Sequence, residues 1–164
     1  MNGKNWWSTN PPAEFAYDDD GNLIANTLKV KFKKLHQDAI TPTYAKNGDA
    51  GLDLTAMDIR WSENYIEYGT GIAVEIPRGY VGFIFPRSSV SKKQNFYLKN
   101  AVGVIDSGYR GEIMLRFNVS ETHYEVGDKI GQLIILPYPE IQLQEVNELT
   151  STDRGEGGFG STGV

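Results

Sequence analysis

The residues from Arg154 to Val164 carry the densest chemistry in the chain: five glycines, one arginine, one phenylalanine and the hydroxyls of Ser161 and Thr162. Glycine gives up more conformational freedom on ordering than any other residue. The segment has little apolar surface to offset that loss, so it is expected to order only around a ligand. Backbone N–H groups left open by glycine, together with hydroxyls and a guanidinium, suit phosphate oxygens. A lone Phe159 suits the flat face of a base. Two familiar readings fail here. Gly158 to Gly163 spells G-x-G-x-x-G, but that fingerprint requires a strand before it and a helix after it, and only Val164 follows. Gly155 to Ser161 has the spacing of a phosphate-binding P-loop and lacks its lysine.

Four other segments hold groups able to act. In Asp49 to Ala56, Leu52 and Leu54 share one strand face and Asp53 points the other way. In Pro86 to Lys93, a strand gives way to Arg87, Ser88, Ser89, Ser91 and two lysines, a cradle for a polyanion in which the arginine forks two oxygens. In Asn100 to Gly111, Gly103 and Gly108 fit tight turns or close approach of backbone to a ligand. Asp106 follows an apolar run there and opens a turn, with Tyr109 three residues on. In Gly127 to Leu133, Gln132 enters a hydrophobic strand and reads as an edge residue. Taken singly, each segment is also ordinary structure: an outward aspartate, a polar loop, a hairpin turn, an edge glutamine. His36 and His123 lie in polar stretches, read as surface residues and belong to none of these segments. With no Ser/His/Asp set, a hydrolase built from this inventory takes a carboxylate as its base.

The elements that must position these groups have a period of two. Leu28, Val30 and Phe32 alternate with lysines as a half-buried strand; Ile72, Val74 and Ile76 alternate up to Pro77-Arg78-Gly79. Tyr80 to Phe85 reads as a strand ended by Pro86, and Ile113, Leu115, Phe117 and Val119 alternate with polar or longer residues. Leu133 to Leu136 is an apolar run closed by Pro137, and Ile141 with Leu143 starts a last strand. Ser88 to Asn95 has room for one short helical turn. Asp20-Gly21 between two apolar stretches predicts a hairpin. Its three aspartates, Asp18 to Asp20, read as a solvated turn, because neighbouring strand carboxylates face opposite ways. Many short strands with Gly and Pro punctuation predict an all-β sandwich or barrel.

The chain has 164 residues, 40% hydrophobic and 23% charged, which suits one domain with a true core. A net charge of −5 argues against duplex nucleic acid or an acidic membrane as partner. No cysteine means no disulfide, no thiolate metal site and no thiol nucleophile. No apolar run of signal-peptide or membrane-spanning length is present, so a soluble, intracellular, cytoplasmic protein is expected.

Taken together and in order, the five segments resemble the five motifs of the trimeric dUTPase family, the deoxyuridine 5′-triphosphate nucleotidohydrolases. These are Ala50-Gly51-Leu52-Asp53-Leu54, Pro86-Arg87-Ser88-Ser89, Gly103-Val104-Ile105-Asp106-Ser107-Gly108-Tyr109-Arg110-Gly111, Gly127-Asp128-Lys129-Ile130-Gly131-Gln132-Leu133, and the glycine-rich segment from Arg154. The resemblance implies a distorted jelly-roll or β-clip barrel, a homotrimer with sites shared between subunits, and the partition 1–26 extension, 27–149 core and 150–164 mobile closing arm. It implies hydrolysis of dUTP to dUMP and pyrophosphate with Mg²⁺, keeping uracil out of DNA and supplying dUMP. Asp106 matches the general base and Tyr109 the ring that packs on deoxyribose. Asn100, Val104 and Ile105 match the uracil-reading hairpin. Arg87, Ser88, Ser89 and Gln132 match substrate contacts on the phosphate side, and Asp53 the residue that holds Mg²⁺ through water. Arg154, Phe159, Gly160, Ser161 and Thr162 match the closing arm.

Lys129 and Gly131 stand where this family usually shows Arg and Ala. The related dCTP deaminases resemble this chain too, but carry a catalytic glutamate where Arg116 stands and Phe where Tyr109 stands. A third reading is a regulator that signals nucleotide state to a protein partner; the intact Asp106 argues against loss of catalysis. Residues 1–26, with Trp6 and Trp7, are expected to brace a neighbouring subunit, dock a partner or form a loose extension.

Overall fold

The computed structural model describes residues 28–158 and, at backbone level, two short strands before them: β1 (Ala16–Tyr17) and β2 (Leu23–Ile24). These two pair antiparallel, Ala16 opposite Ile24 and Tyr17 opposite Leu23, as the hairpin signal predicts. The aspartates between them lie outside the described residues, as do Phe159, Gly160, Ser161 and Thr162.

The remaining strands are β3 (Lys31–Lys34), β4 (Leu52–Thr55), β5 (Asp58–Trp61), β6 (Ile66–Gly69), β7 (Ile72–Glu75), β8 (Tyr80–Phe85), β9 (Gly103–Ile105), β10 (Met114–Phe117) and β11 (Lys129–Pro137). The helix among the described residues is one 3-10 turn, Ser88–Lys92, so the fold is all-β. Three sheets pack around one core: β4-β11-β8-β9, β10-β6-β5 and β3-β7, every pair antiparallel. The period of two delivers the core as read. Ile72, Val74 and Ile76 are buried, and so are Ile113, Leu115 and Phe117. Gly79 turns the chain between β7 and β8 at φ +86°, a conformation glycine adopts without strain.

Three expectations are corrected. The strand from Leu28 is not half-buried: Val30 packs on the core, but all four residues of β3 are exposed, including Phe32. β3 pairs with β7 alone, so among the described residues no strand pairs with its other edge. Ile141 and Leu143 start no strand. Residues 138–150 carry no ladder, and these two side chains are 74% and 90% exposed. A strand needs an edge to pair with, and this segment pairs with none among the described residues. Gln132 is not an edge residue, because β11 is flanked by β4 and β8 on its two sides.

The core centres on an aromatic cluster. Phe96 stacks on Phe117 at 4.6 Å, and Tyr68 and Tyr124 meet Phe117 edge-on at 5.7 and 5.6 Å. Such pairs add about 0.5–1.5 kcal/mol each beyond their buried area. The buried Tyr68 hydroxyl donates to the Tyr124 carbonyl and accepts from the Tyr124 N–H, both at 3.1 Å. Burial pushes this phenol up to about 12, against the opposing pull of the bond it accepts from the Tyr124 N–H. A raised folded-state value means the folded chain keeps a proton that the unfolded chain loses from pH 10 upward. The stabilisation is therefore complete below pH 10 and lost as pH rises toward 12, on the order of 2–3 kcal/mol. Urea midpoints measured from pH 9 to 12 should fall steeply in the wild type. In Tyr68→Phe they should start lower and fall less.

Candidate functional site

Two clefts collect most of the described residues singled out in the sequence, though Ser89 and Asn100 line neither. The first, about 270 Å³, is lined by Asp49, Gly51, Asp53, Arg87, Ser88 and Gln132, among others. It lies over the register row in which β4 Asp53, β11 Gln132 and β8 Phe85 stand side by side. That row joins three of the sequence segments in one place. Gln132 Nε2 donates to the Pro86 carbonyl at 3.3 Å, tying β11 to the loop that carries Arg87. Gly51 is small for a reason: a Cβ there would lie 2.6 Å from Gln132 Oε1 and 3.0 Å from its Cβ.

Asp53 is not a free outward carboxylate. Its side chain is 11% exposed; Oδ2 accepts from Lys129 Nζ at 2.7 Å and Oδ1 lies 3.2 Å from Arg87 Nε. Two cations meet one carboxylate, leaving Arg87 and Lys129 with N–H groups that Asp53 does not take up, while Asp49 also lines the cleft. That suits a polyanion. The departure Lys129 is thus employed: an ammonium reaches Asp53 from the strand that also presents Gln132. Ser88 opens the 3-10 turn next to Arg87. Beneath this loop lies Tyr124, which the sequence did not single out; its hydroxyl sits close to Ser89 without a well-formed hydrogen bond. Burial pushes the Tyr124 phenol up, with Ser89 and Arg87 pulling against it.

The second cleft, about 250 Å³, is lined by Val104, Ile105, Asp106, Tyr109, Glu112 and Met114. β9 is the outermost strand of its sheet, so its outer edge offers backbone donors and acceptors. Gly103 permits close approach to β8, since a Cβ there would meet Ile84 Cβ at 3.1 Å. The turn ahead of β9 runs through Asn100 and through Ala101 at φ +56°, a strained setting for a residue with a Cβ. After β9, Tyr109 N–H donates to the Asp106 carbonyl at 3.0 Å, and Arg110 clasps the Ser107 and Tyr109 carbonyls at 2.6 and 2.8 Å. Gly108 meets no such demand: its φ is not left-handed and a Cβ there would touch nothing.

The two clefts are far apart within one chain. From β4 to β9 is three strand spacings, roughly 14 Å, with a further offset of roughly 10 Å along β8 between Phe85 and the partner of Ile105, Gly82. Arg154 is in neither cleft; its Nε donates to the Gly157 carbonyl at 3.0 Å in an exposed turn.

Among the described residues, no three His, Cys, Asp or Glu side chains converge on a metal position. The first cleft has two carboxylates, Asp53 and Asp49, the latter accepting from the Lys46 N–H at 2.8 Å. This donor set cannot cage an ion alone. It fits Mg²⁺ that keeps several waters and arrives on phosphate oxygens.

Arg116 pairs with Glu67 at 2.7 Å and stacks on Tyr65 at 4.7 Å. It is a member of an ion-pair network across β5, β6 and β10, not an acid–base group. His123 is also structural: it meets Trp61 edge-on at 5.0 Å and Glu125 at 3.1 Å, and its side chain is only a quarter exposed. His36 is exposed.

Comparison with known proteins follows the same residues. The family model described as dUTPase matches residues 37–163. This chain belongs to the dUTPase family. The deoxyuridine 5′-triphosphate nucleotidohydrolase of Hydrogenobaculum sp. (strain Y04AAS1) is 41% identical over 144 residues, covering 84% of this chain and 99% of the relative. That of Cutibacterium acnes is 43% identical over 130 residues, covering 75% and 85%. Among solved structures, a mutant dUTPase of Staphylococcus bacteriophage 80alpha, held with dUpNHpp, has a TM-score of 0.70 at 29% identity and covers 84% of this chain and 100% of its own. A mutant dUTPase from phage phi11 of S. aureus, described as revealing coordination of a structural Mg(II) ion, has a TM-score of 0.62 at 25% identity, covering 74% and 98%. The dUTPase fold of this chain is thus of the jelly-roll type its neighbours share.

Asp53→Asn should leave Arg87 and Lys129 without their shared counter-charge. Because both cations are partly exposed, the cost should be modest, about 1 kcal/mol in a urea titration, and smaller still at high salt.

Proposed function

We propose that this dUTPase cleaves dUTP to dUMP and pyrophosphate by in-line attack of a water on the α-phosphorus, with Asp106 taking the water's proton. The observation that carries the reading is the cleft in which Asp106 stands beside Tyr109 and the edge strand β9. Uracil offers acceptor, donor and acceptor along its pairing edge. The β9 backbone and Asn100 can complement that pattern, with Val104 and Ile105 supplying the main chain. Cytosine inverts two of those groups, and each buried polar group left unpaired costs about 1–3 kcal/mol. Tyr109 packs on the deoxyribose and leaves no room for a 2′-hydroxyl.

The triphosphate belongs to the other cleft. Arg87, Ser88, Ser89 and Gln132 bind its oxygens. Mg²⁺, when bound with the substrate, neutralises phosphate charge, with Asp53 holding it through water. The separation of the two clefts within one chain supports a site assembled from several copies, a homotrimer in which one subunit's Asp106 and Tyr109 meet another's Arg87 and Gln132. Exposed Ile141, Leu143 and Leu149 supply apolar surface for such an assembly. Residues 150–164 close over the bound nucleotide, Phe159 on the uracil and Arg154, Gly160, Ser161 and Thr162 on the γ-phosphate. Ordering that segment only around substrate makes closure depend on both base and triphosphate.

Pyrophosphate release across the four common dNTPs and dUTP tests the activity; dUTP alone should turn over rapidly. Asp106→Asn should retain dUTP-analogue affinity in calorimetry and lose about 10²–10⁴-fold in kcat. Near-normal turnover in that variant would overturn the role of Asp106.

Truncation after Asp153 should leave a particle of three chains by light scattering and lower kcat/KM severely. An active monomer would overturn the shared-site reading.

A further inference from the structure

Tyr109 is held in an unusual seat. The hydroxyl end of its ring lies against Gly111: a Cβ at that position would fall 2.6 Å from Tyr109 Cζ and 2.9 Å from Cε2, closer than real Cβ atoms come to anything. Gly111 is not in the left-handed region, so its backbone does not require glycine. What requires glycine is the ring. At its far end the Tyr109 hydroxyl donates to the Glu112 carbonyl at 2.9 Å.

That carbonyl is itself fixed. The Glu112 side chain, 16% exposed, accepts from the Gly71 N–H at 2.7 Å and stands 3.8 Å from Arg60 Nη2. Arg60 is shared with Asp58 at 2.8 Å and Glu67 at 3.2 Å. The next residue, Ile113, donates to the Ile72 carbonyl at 2.8 Å and accepts from Thr70 Oγ1 at 2.7 Å. Gly69 clears the space for this carboxylate, since a Cβ there would meet Glu112 Oε1 at 2.7 Å and Asp58 Oδ1 at 2.6 Å. Residues 112–113 are thus bolted to the β6–β7 turn, and the phenol is tied to that fixed point.

We infer that Gly111 and Glu112 are positioning residues that set the pose of the Tyr109 ring and, through it, selectivity for deoxyribose over ribose. The inference rests on the reading of Tyr109 as the wall against the sugar. A wall excludes a hydroxyl only if it cannot yield. Here the ring has its seat on one side, at Gly111, and its tether at the tip. Exclusion of the 2′-hydroxyl is therefore a property of the backbone at Gly111 and Glu112 as well as of the phenol.

The test is the ratio of kcat/KM for dUTP to that for UTP, read by pyrophosphate release, with melting temperature and light scattering recorded alongside. Gly111→Ala should fold, because alanine is permitted at its φ and the obstructing atoms are the mobile end of a side chain. It should lower the ratio about tenfold or more. Tyr109→Phe keeps the seat and cuts the tether; it should lower the ratio by a smaller factor, and it carries the test if Gly111→Ala does not fold. In a Tyr109→Ala background, Gly111→Ala should cost nothing further, because the ring it displaces is gone. An unchanged ratio in Gly111→Ala and Tyr109→Phe, with a collapsed ratio in Tyr109→Ala, would overturn the inference and leave the reading of Tyr109 standing. An unchanged ratio in Tyr109→Ala would overturn that reading and this inference together.

Discussion

A ladder of four strands holds its two edge strands apart, and that constraint separates the two candidate clefts of this chain. β4 and β9 bound the same four-stranded sheet, held apart by β11 and β8. One edge carries Asp53 and, through the row beneath it, Gln132 and the Arg87 loop; the other leads into Asp106 and Tyr109. Hydrogen bonds between strands fix the spacing at about 4.8 Å per step. Side-chain motion cannot close such a gap. Chemistry that needs both edges has to bring a second sheet to the first.

The electrostatics divide along the same line. The cleft over Asp53 holds Arg87 and Lys129 against that well-buried carboxylate, with Asp49 also on its wall. Behind the cleft of Asp106, Arg60 is set among Asp58, Glu67 and Glu112. One cleft has cationic N–H groups that Asp53 does not take up, and the other is backed by a network already paired within itself. The first suits a ligand that brings negative charge, and the second suits one that brings shape.

Much of this was legible in the sequence. β7, β8, the core face around β10 and the 3-10 turn fall where alternation and proline placed them, because burial of Ile72, Val74, Ile113 and Phe117 follows directly from a period of two. The motifs were legible as segments, since order and spacing survive folding. Pairings were not. Nothing local says that Lys129 reaches across 76 positions to Asp53, or that Gln132 lies mid-sheet between Asp53 and Phe85. The apolar pair Ile141 and Leu143 misled for the same reason: alternation marks a capacity to form a strand, and whether an edge is available is a property of the fold. Glu112 and Arg60 escaped notice because a charged residue on an alternating strand reads as solvent-facing until its partners are known. Gly111 escaped because its role is a vacancy, visible only against the ring that fills it.

β3 has an implication for how copies of this chain meet. Its exposed edge presents Lys31, Lys33 and Lys34 around a half-bared Phe32. Lysines on an open strand repel a second strand of the same kind before backbone bonds can form. Runaway ladder growth into fibres is thereby discouraged at the place where the sheet is least protected.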